Sequence, residues 1–194
     1  MSSERSFLAE VKTQAALLGL FVALLWGVEI FDWFLAGGLD RYGIIPRQLI
    51  GLRGILFAPF LHGDFEHLLT NTVPLVTLGW LVMVRALSDW VIVTVLCALV
   101  SGGMTWLVGS PGSLHIGASG LIFGYAGFLL MRGYFERSLA AISLSVLVIF
   151  FYGSIFWGVL PGQPGISWEG HLFGFIGGAI AARLLADRSP RRPV

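Results

Sequence analysis

Residues 117–127 read GASGLIFGYAG and place one serine, Ser119, among small residues at the start of an uninterrupted apolar run. The glycines recur at steps of three and four residues, so they would line one face of a helix. One interpretation is close packing of two helices, because small residues let backbones approach each other. The alternative is that the serine hydroxyl is a nucleophile. The rest of the sequence bears on this choice.

The composition indicates a protein that lies in a lipid bilayer. Of the 194 residues, 56% are hydrophobic and only 12% are charged. Soluble domains carry about 25% charged residues, which their surfaces require. The net charge of +1 and the single lysine leave no basic surface for nucleic acid. The only cysteine, Cys97, lies inside an apolar run and is typical of a small core residue.

Six apolar stretches approach the length of about 20 residues that a helix needs to cross a bilayer. Segments rich in glycine, proline or charge separate them, as turns require. We therefore predict an all-α membrane protein, a single domain over residues 1–194 with six transmembrane helices. The predicted spans are 15–35, 67–84, 90–109, 116–131, 138–160 and 170–186.

The basic residues predict the orientation, because cytoplasmic loops carry an excess of Lys and Arg. Six spans place both termini on one side, which would hold nine basic residues against three on the other. We predict that both termini are cytoplasmic, in a plasma membrane of bacterial type. Spans two, four and six would then all begin near the outer face. The nine are Arg5, Lys12, Arg85, Arg132, Arg137, Arg183, Arg188, Arg191 and Arg192, and the three are Arg41, Arg47 and Arg53.

The starts of these three spans carry polar residues, which often mark functional sites inside membranes. His67 and Asn71 are four residues apart and share one helical face. Ser119 lies just inside span four, and His171 begins span six. Taken singly, the serine fits helix packing, a histidine fits an interfacial anchor and the asparagine fits a bond to backbone. Their common depth favours one pocket.

Small residues on spans four and six predict that these two helices touch. Their steps of three or four residues would form two facing stripes that allow close approach. This contact would bring His171 within reach of Ser119, so packing and catalysis are compatible. The predicted packing glycines are Gly117, Gly120, Gly124, Gly174 and Gly178.

These residue types fit acyl-transfer chemistry. A serine hydroxyl needs a base to accept its proton, and histidine suits that task near neutral pH. The Asn71 amide, a His67 ring N–H and the Ser119 backbone N–H could stabilise an oxyanion. No carboxylate completes a triad, so we predict a dyad of Ser119 and His171. The metalloprotease motif H-E-x-x-H is absent from the sequence, and we predict no metal and no cofactor.

Three motifs in this order carry a family resemblance: HGDFEHLLTN (62–71), GASG (117–120) and GHLFGFIGG (170–178). With them, the chain resembles the rhomboid intramembrane serine proteases. The resemblance implies that Ser119 is the nucleophile and His171 the general base. It also implies that the substrates are transmembrane segments of other membrane proteins, cut near the outer face.

The resemblance extends to the surroundings of the site. It implies that Phe123 packs against the catalytic histidine and that loop 37–66 lies partly in the outer leaflet. Span five and loop 161–169 resemble a mobile gate and cap. The gate candidates are Phe151, Phe156 and Trp157, which also fit aromatics that simply face the lipid.

Two other functions fit parts of the sequence. A rhomboid-like pseudoprotease would bind membrane clients without cleavage, but such proteins lack the serine or the histidine. A small transporter would use the polar pocket for ions, but no inverted repeat is present. Outside the pocket, Glu29 and Asp32 are predicted to bond the outer loop. His62 and His115 are expected at the water boundary.

Overall fold

The computed structural model describes residues 2–186, with side chains from residue 7 onward. Within this range the chain is all-α, and short 3₁₀ turns join its helices. The short helix α2 lies in the long loop after α1. The helices are α1 (Ser2–Phe34), α2 (Gly54–Phe57), α3 (Phe65–Met83), α4 (Leu87–Val108), α5 (Ser119–Glu136), α6 (Leu139–Tyr152) and α7 (Trp168–Ala186).

Three helical stretches are long and apolar enough to cross a membrane: Phe7–Phe34, Leu87–Val108 and Leu139–Val159. The last combines α6 with the 3₁₀ segment Gly153–Val159 that follows it. Helices α3, α5 and α7 have 19, 18 and 19 residues. They are less apolar because they contain the glycines and polar residues noted above. The count of six spans therefore stays a prediction.

Helix α5 lies at the centre of the bundle and contacts α3, α4, α6 and α7. Helix α7 packs along α5 and also against α4, whereas α1 packs against α3. Helix α6 packs against α5, and most of its side chains face outward. The central helix thus begins with Ser119 and has α7 as its main neighbour.

The backbones of α5 and α7 meet at glycines. A Cβ atom on Gly178 would overlap the carbonyl oxygen of Gly124, and one on Gly174 would overlap that of Gly120. The prediction for Gly117 needs correction, because α5 begins two residues after it. Gly117 has a φ of 114°, which is not helical, so it belongs to the preceding loop and not to the glycine stripe.

The long loop between α1 and α3 supports the segment that leads to Ser119. Ile44 pairs with His115 in an antiparallel bridge, with N···O distances of 2.9 and 3.0 Å. The Gly117 N–H donates to the carbonyl of Ala58 over 2.8 Å. These backbone bonds fix the entry to α5.

A cluster of buried ion pairs ties the helices together at the other end of α5. Arg85 lies 2.9 Å from Asp89 and 2.6 Å from Glu136, and it donates to the Leu185 carbonyl over 2.7 Å. The cluster links the junction of α3 and α4 to the ends of α5 and α7. Three basic residues used to predict the orientation lie outside the described residues: Arg188, Arg191 and Arg192.

Asp32 connects the end of α1 to the following loop. The Asp32 carboxylate accepts a hydrogen bond from the Leu39 N–H over 2.6 Å, as expected for a residue that bonds the outer loop. Burial raises the pKa of Asp40 to about 6, and the negative charge of Asp32 adds to this rise. Ionised Asp40 is therefore unfavourable in the folded protein.

We expect Asp40→Asn to raise the melting temperature at about pH 8 and to have little effect at about pH 4. The pKa of Asp40 is raised on folding, so its ionisation lowers stability as the pH rises from about 4 to about 6. Asparagine removes that charge. Thermal unfolding of purified protein at both pH values measures the effect, with Glu66→Gln as the control at an exposed carboxylate. An equal gain at both pH values would contradict the prediction.

Candidate active site

A cavity of about 650 Å³ lies at the N-terminal ends of α3, α5 and α7. Its lining includes His67, Asn71, Ser119 and His171. The structure thus brings the four polar residues selected from the sequence to one cavity. The segments before α5 and α7 form the rest of its wall, together with the start of α3.

Ser119 is the first residue of α5, and its side chain is partly exposed at the cavity. The first N–H groups of a helix have no intrahelical acceptor, and the N-terminus carries partial positive charge. The Ser119 N–H therefore suits an anionic oxygen. The Ala118 N–H lies 3.4 Å from the His62 Nε2 and donates to it, which helps to hold the backbone before the serine.

His171 lies in the first turn of α7 and is held by two contacts. Its ring stacks on Phe123 with 4.1 Å between centroids and 9° between planes. Its Nδ1 lies 2.9 Å from the carbonyl oxygen of Gly158. Because a carbonyl oxygen can only accept, Nδ1 must carry the proton. In the neutral ring, Nε2 then has a free lone pair and can serve as a base.

His67 and Asn71 lie beside the backbone that leads to Ser119. A Cβ atom on Gly117 would be 2.8 Å from the His67 Nε2 and 3.6 Å from the Asn71 Nδ2. The Asn71 Nδ2 is buried and has no hydrogen-bond partner in the described part of the chain. An unpaired buried donor costs about 1–3 kcal/mol, so this amide is suited to receive an oxygen from a ligand.

The Rhomboid domain model matches residues 50–188, and this stretch contains His67, Asn71, Ser119 and His171. The chain belongs to the rhomboid family. With its apolar helices, this membership makes it an integral membrane protein. In the described residues, the matched region is built from α-helices and short 3₁₀ turns that loops connect.

Mycobacterial proteins are similar to this rhomboid protein over most of its length. "Uncharacterized protein Rv1337" of Mycobacterium tuberculosis (strain ATCC 25618 / H37Rv) is 45% identical over 174 residues, covering 86% of this chain and 72% of the relative. "Uncharacterized protein ML1171" of Mycobacterium leprae (strain TN) is 44% identical over 174 residues, covering 86% and 69%. These names state no activity, so function is argued from the site.

His62 is a residue that the sequence reasoning misplaced. It was expected at the water boundary, but it is only 1% exposed in this rhomboid protein. Its ring packs edge-on against His67 with 5.0 Å between centroids. Burial lowers the pKa of His62 to about 3, so the ring is neutral and its Nε2 can accept from Ala118. The spacing of five residues between His62 and His67 did not predict this ring contact, because His62 precedes α3 and does not lie on its helical face.

His115 joins the two loops that lead to Ser119 and His171. The Ser113 hydroxyl donates to the Ser110 carbonyl (2.6 Å) and so accepts from the His115 Nε2–H (2.7 Å). The His115 Nδ1 therefore accepts from the Ser167 hydroxyl (2.6 Å), whose oxygen accepts from the Gly170 N–H (3.3 Å). Burial lowers the pKa of His115, in agreement with a neutral ring. No pattern in the sequence pointed to these hydrogen bonds.

The three gate candidates differ in where their side chains point. Phe156 packs edge-on against Phe123, 6.3 Å away, and against Phe175, 5.7 Å away. Phe151 and Trp157 are 68% and 70% exposed. Among these aromatics, Phe156 therefore faces the site, and it lies directly behind the ring that stacks on His171.

Proposed function

We propose that this rhomboid protein is an intramembrane serine endopeptidase that cuts transmembrane segments of other membrane proteins. The observation that carries the proposal is one cavity that contains Ser119 and a His171 whose Nε2 is free to accept a proton. The same proposal includes a single domain of six spans, with both termini in the cytoplasm of a bacterial-type cell. The cavity would then open toward the outer face.

In the proposed reaction, His171 Nε2 takes the proton of Ser119 while Oγ attacks the carbonyl carbon of the substrate. The C=O π electrons move to the oxygen, giving a tetrahedral oxyanion. The imidazolium then protonates the leaving amine as the C–N bond breaks. Water attacks the resulting acyl-enzyme with the same base, and Ser119 recovers its proton as the carboxylic acid leaves.

Three donors around Ser119 support stabilisation of the oxyanion. They are the Ser119 N–H at the start of α5, the unpaired Asn71 amide and the ring of His67. Fixed donors of this kind are each worth about 10²–10³ in rate, because they need no reorganisation during the reaction. The side chains of His67 and Asn71 lie beside Gly117, two residues before the proposed nucleophile.

A helical substrate must unwind before it can react, because its peptide carbonyls are occupied by i→i−4 hydrogen bonds. We therefore propose substrates whose helices are weakened by glycine, proline or polar residues, with a small residue before the cut. Entry beside α6 is supported by its exposure, since Ala141 and Val148 are the only buried residues of the stretch Leu139–Val159.

The test combines reconstituted protein with a fluorophosphonate probe and a panel of transmembrane substrates. A nucleophilic Ser119 would displace fluoride from phosphorus, and mass spectrometry would locate the adduct on that residue. Ser119→Ala should lose the label, whereas Ser143→Ala, at an exposed serine of α6, should keep it. Cuts should map inside the transmembrane segments. A pseudoprotease or a transporter would give neither adduct nor cuts, and that result would refute the proposal.

A further inference from the structure

We infer that the main-chain carbonyl of Gly158 is the group that positions His171, in the place that a carboxylate fills in a catalytic triad. The inference rests on the proposed dyad and adds a positioning residue from the gate region. Gly158 lies 13 residues before His171, in the 3₁₀ segment Gly153–Val159.

The hydrogen bond of 2.9 Å between the His171 Nδ1 and the Gly158 oxygen selects one tautomer. A neutral histidine side chain in water favours the proton on Nε2. The free side chain would therefore present a protonated Nε2, which cannot accept a proton from a serine hydroxyl. The bond to Gly158 holds the proton on Nδ1 and leaves the lone pair on Nε2. This is the orienting role of the aspartate in a triad, performed without a charge.

The ring of His171 is enclosed between two groups. Phe123 covers one face by stacking. On Gly158, a Cβ atom would lie 2.9 Å from the His171 Nδ1 and 3.1 Å from the Phe123 Cζ. A side chain at position 158 would therefore push directly on the bonded edge of the imidazole. Glycine is needed here for close approach, and its φ lies outside the left-handed range.

The same segment also carries the aromatic that faces the site. Phe156 packs against Phe123, and the carbonyl of Trp157 accepts from Gln163 over 2.5 Å. Moving the segment aside to admit a substrate would withdraw the carbonyl of Gly158 and the ring of Phe156 together. The base is thus correctly oriented while the segment is seated, so chemistry requires the segment to return after substrate entry.

The test is ¹⁵N NMR of histidine-labelled full-length protein in lipid nanodiscs, with His171 assigned from the spectrum of His171→Gln. We expect a protonated Nδ1 and an unprotonated Nε2 at His171. Gly158→Ala should move the proton toward Nε2 and lower kcat about tenfold, with KM nearly unchanged. Gly153→Ala is the control in the same segment, since a Cβ there meets nothing nearer than the Ile149 Cγ2 at 4.0 Å. It should change neither quantity.

A second variant avoids added atoms. Replacing Val159 by its α-hydroxy acid turns the peptide carbonyl of Gly158 into an ester carbonyl, a weaker acceptor, and should shift the tautomer in the same direction. An unchanged Nδ1–H signal and kcat in both variants would overturn the inference. The tautomer of His171 can also be measured in Ser119→Ala, which lacks the proposed nucleophile. Failure of this inference is therefore distinct from failure of the proposed protease activity.

Discussion

Ser119→Ala is expected to lower kcat/KM for a transmembrane substrate by at least about 10³-fold. The change removes the oxygen that is proposed to form the acyl bond, whereas the bond from His171 to Gly158 and the donors around Gly117 remain. Ser119 is partly exposed at the start of α5, so its hydroxyl contributes little to packing. Cleavage rates in proteoliposomes and thermal unfolding should separate loss of chemistry from loss of fold.

Three further variants test whether the loss of cleavage comes from the proposed dyad. His171→Ala should lose a similar factor, and the double variant should be no slower than either single one, because the two residues act as a unit. Ser143→Ala should cleave at the normal rate, since this serine is exposed on α6. Cleavage that persists in purified Ser119→Ala would refute the assignment of the nucleophile.

Gly178→Ala is expected to have the largest effect on stability, a loss of about 3 kcal/mol or more. The new Cβ would overlap the carbonyl oxygen of Gly124 and lie 2.7 Å from the amide nitrogen of Phe128. Both are backbone atoms, so no side chain can turn to make room. Helices α5 and α7 would have to separate, and these helices carry Ser119 and His171. The melting temperature and probe labelling should fall together.

Gly103→Ala on α4 is the matched control. A Cβ at Gly103 meets nothing within 4 Å, and alanine favours helix over glycine by about 1 kcal/mol. This variant should therefore be as stable as the parent or slightly more stable. Normal stability of Gly178→Ala, or an equal loss at position 103, would show that close contact of α5 and α7 is unimportant.

The residues that the sequence could place are those governed by helical periodicity. His67 and Asn71 share a face because they are four residues apart, and the glycines of α7 share one for the same reason. The starts of alternate helices meet at one cavity. Apolar length identified α3, α5 and α7 less clearly than the other long helices, because their glycines and polar residues lower their hydropathy.

The contacts that the sequence could not place depend on loops. Gly158 reaches His171 through a 3₁₀ segment, and His62 reaches Ala118 across 56 residues. His115 is bonded to Ser113 and Ser167 on two separate loops. No periodic pattern relates such residues, because loop conformation and tertiary packing decide them together. Gly117 was misassigned for the same reason, as its positive φ belongs to the turn before α5.

Of the stretch Leu139–Val159, only Ala141 and Val148 are buried inside the protein, so many of its side chains would face acyl chains in a bilayer. The thickness of the bilayer would therefore affect how this stretch is seated. A change in bilayer thickness would then alter the proposed proteolysis without altering any residue.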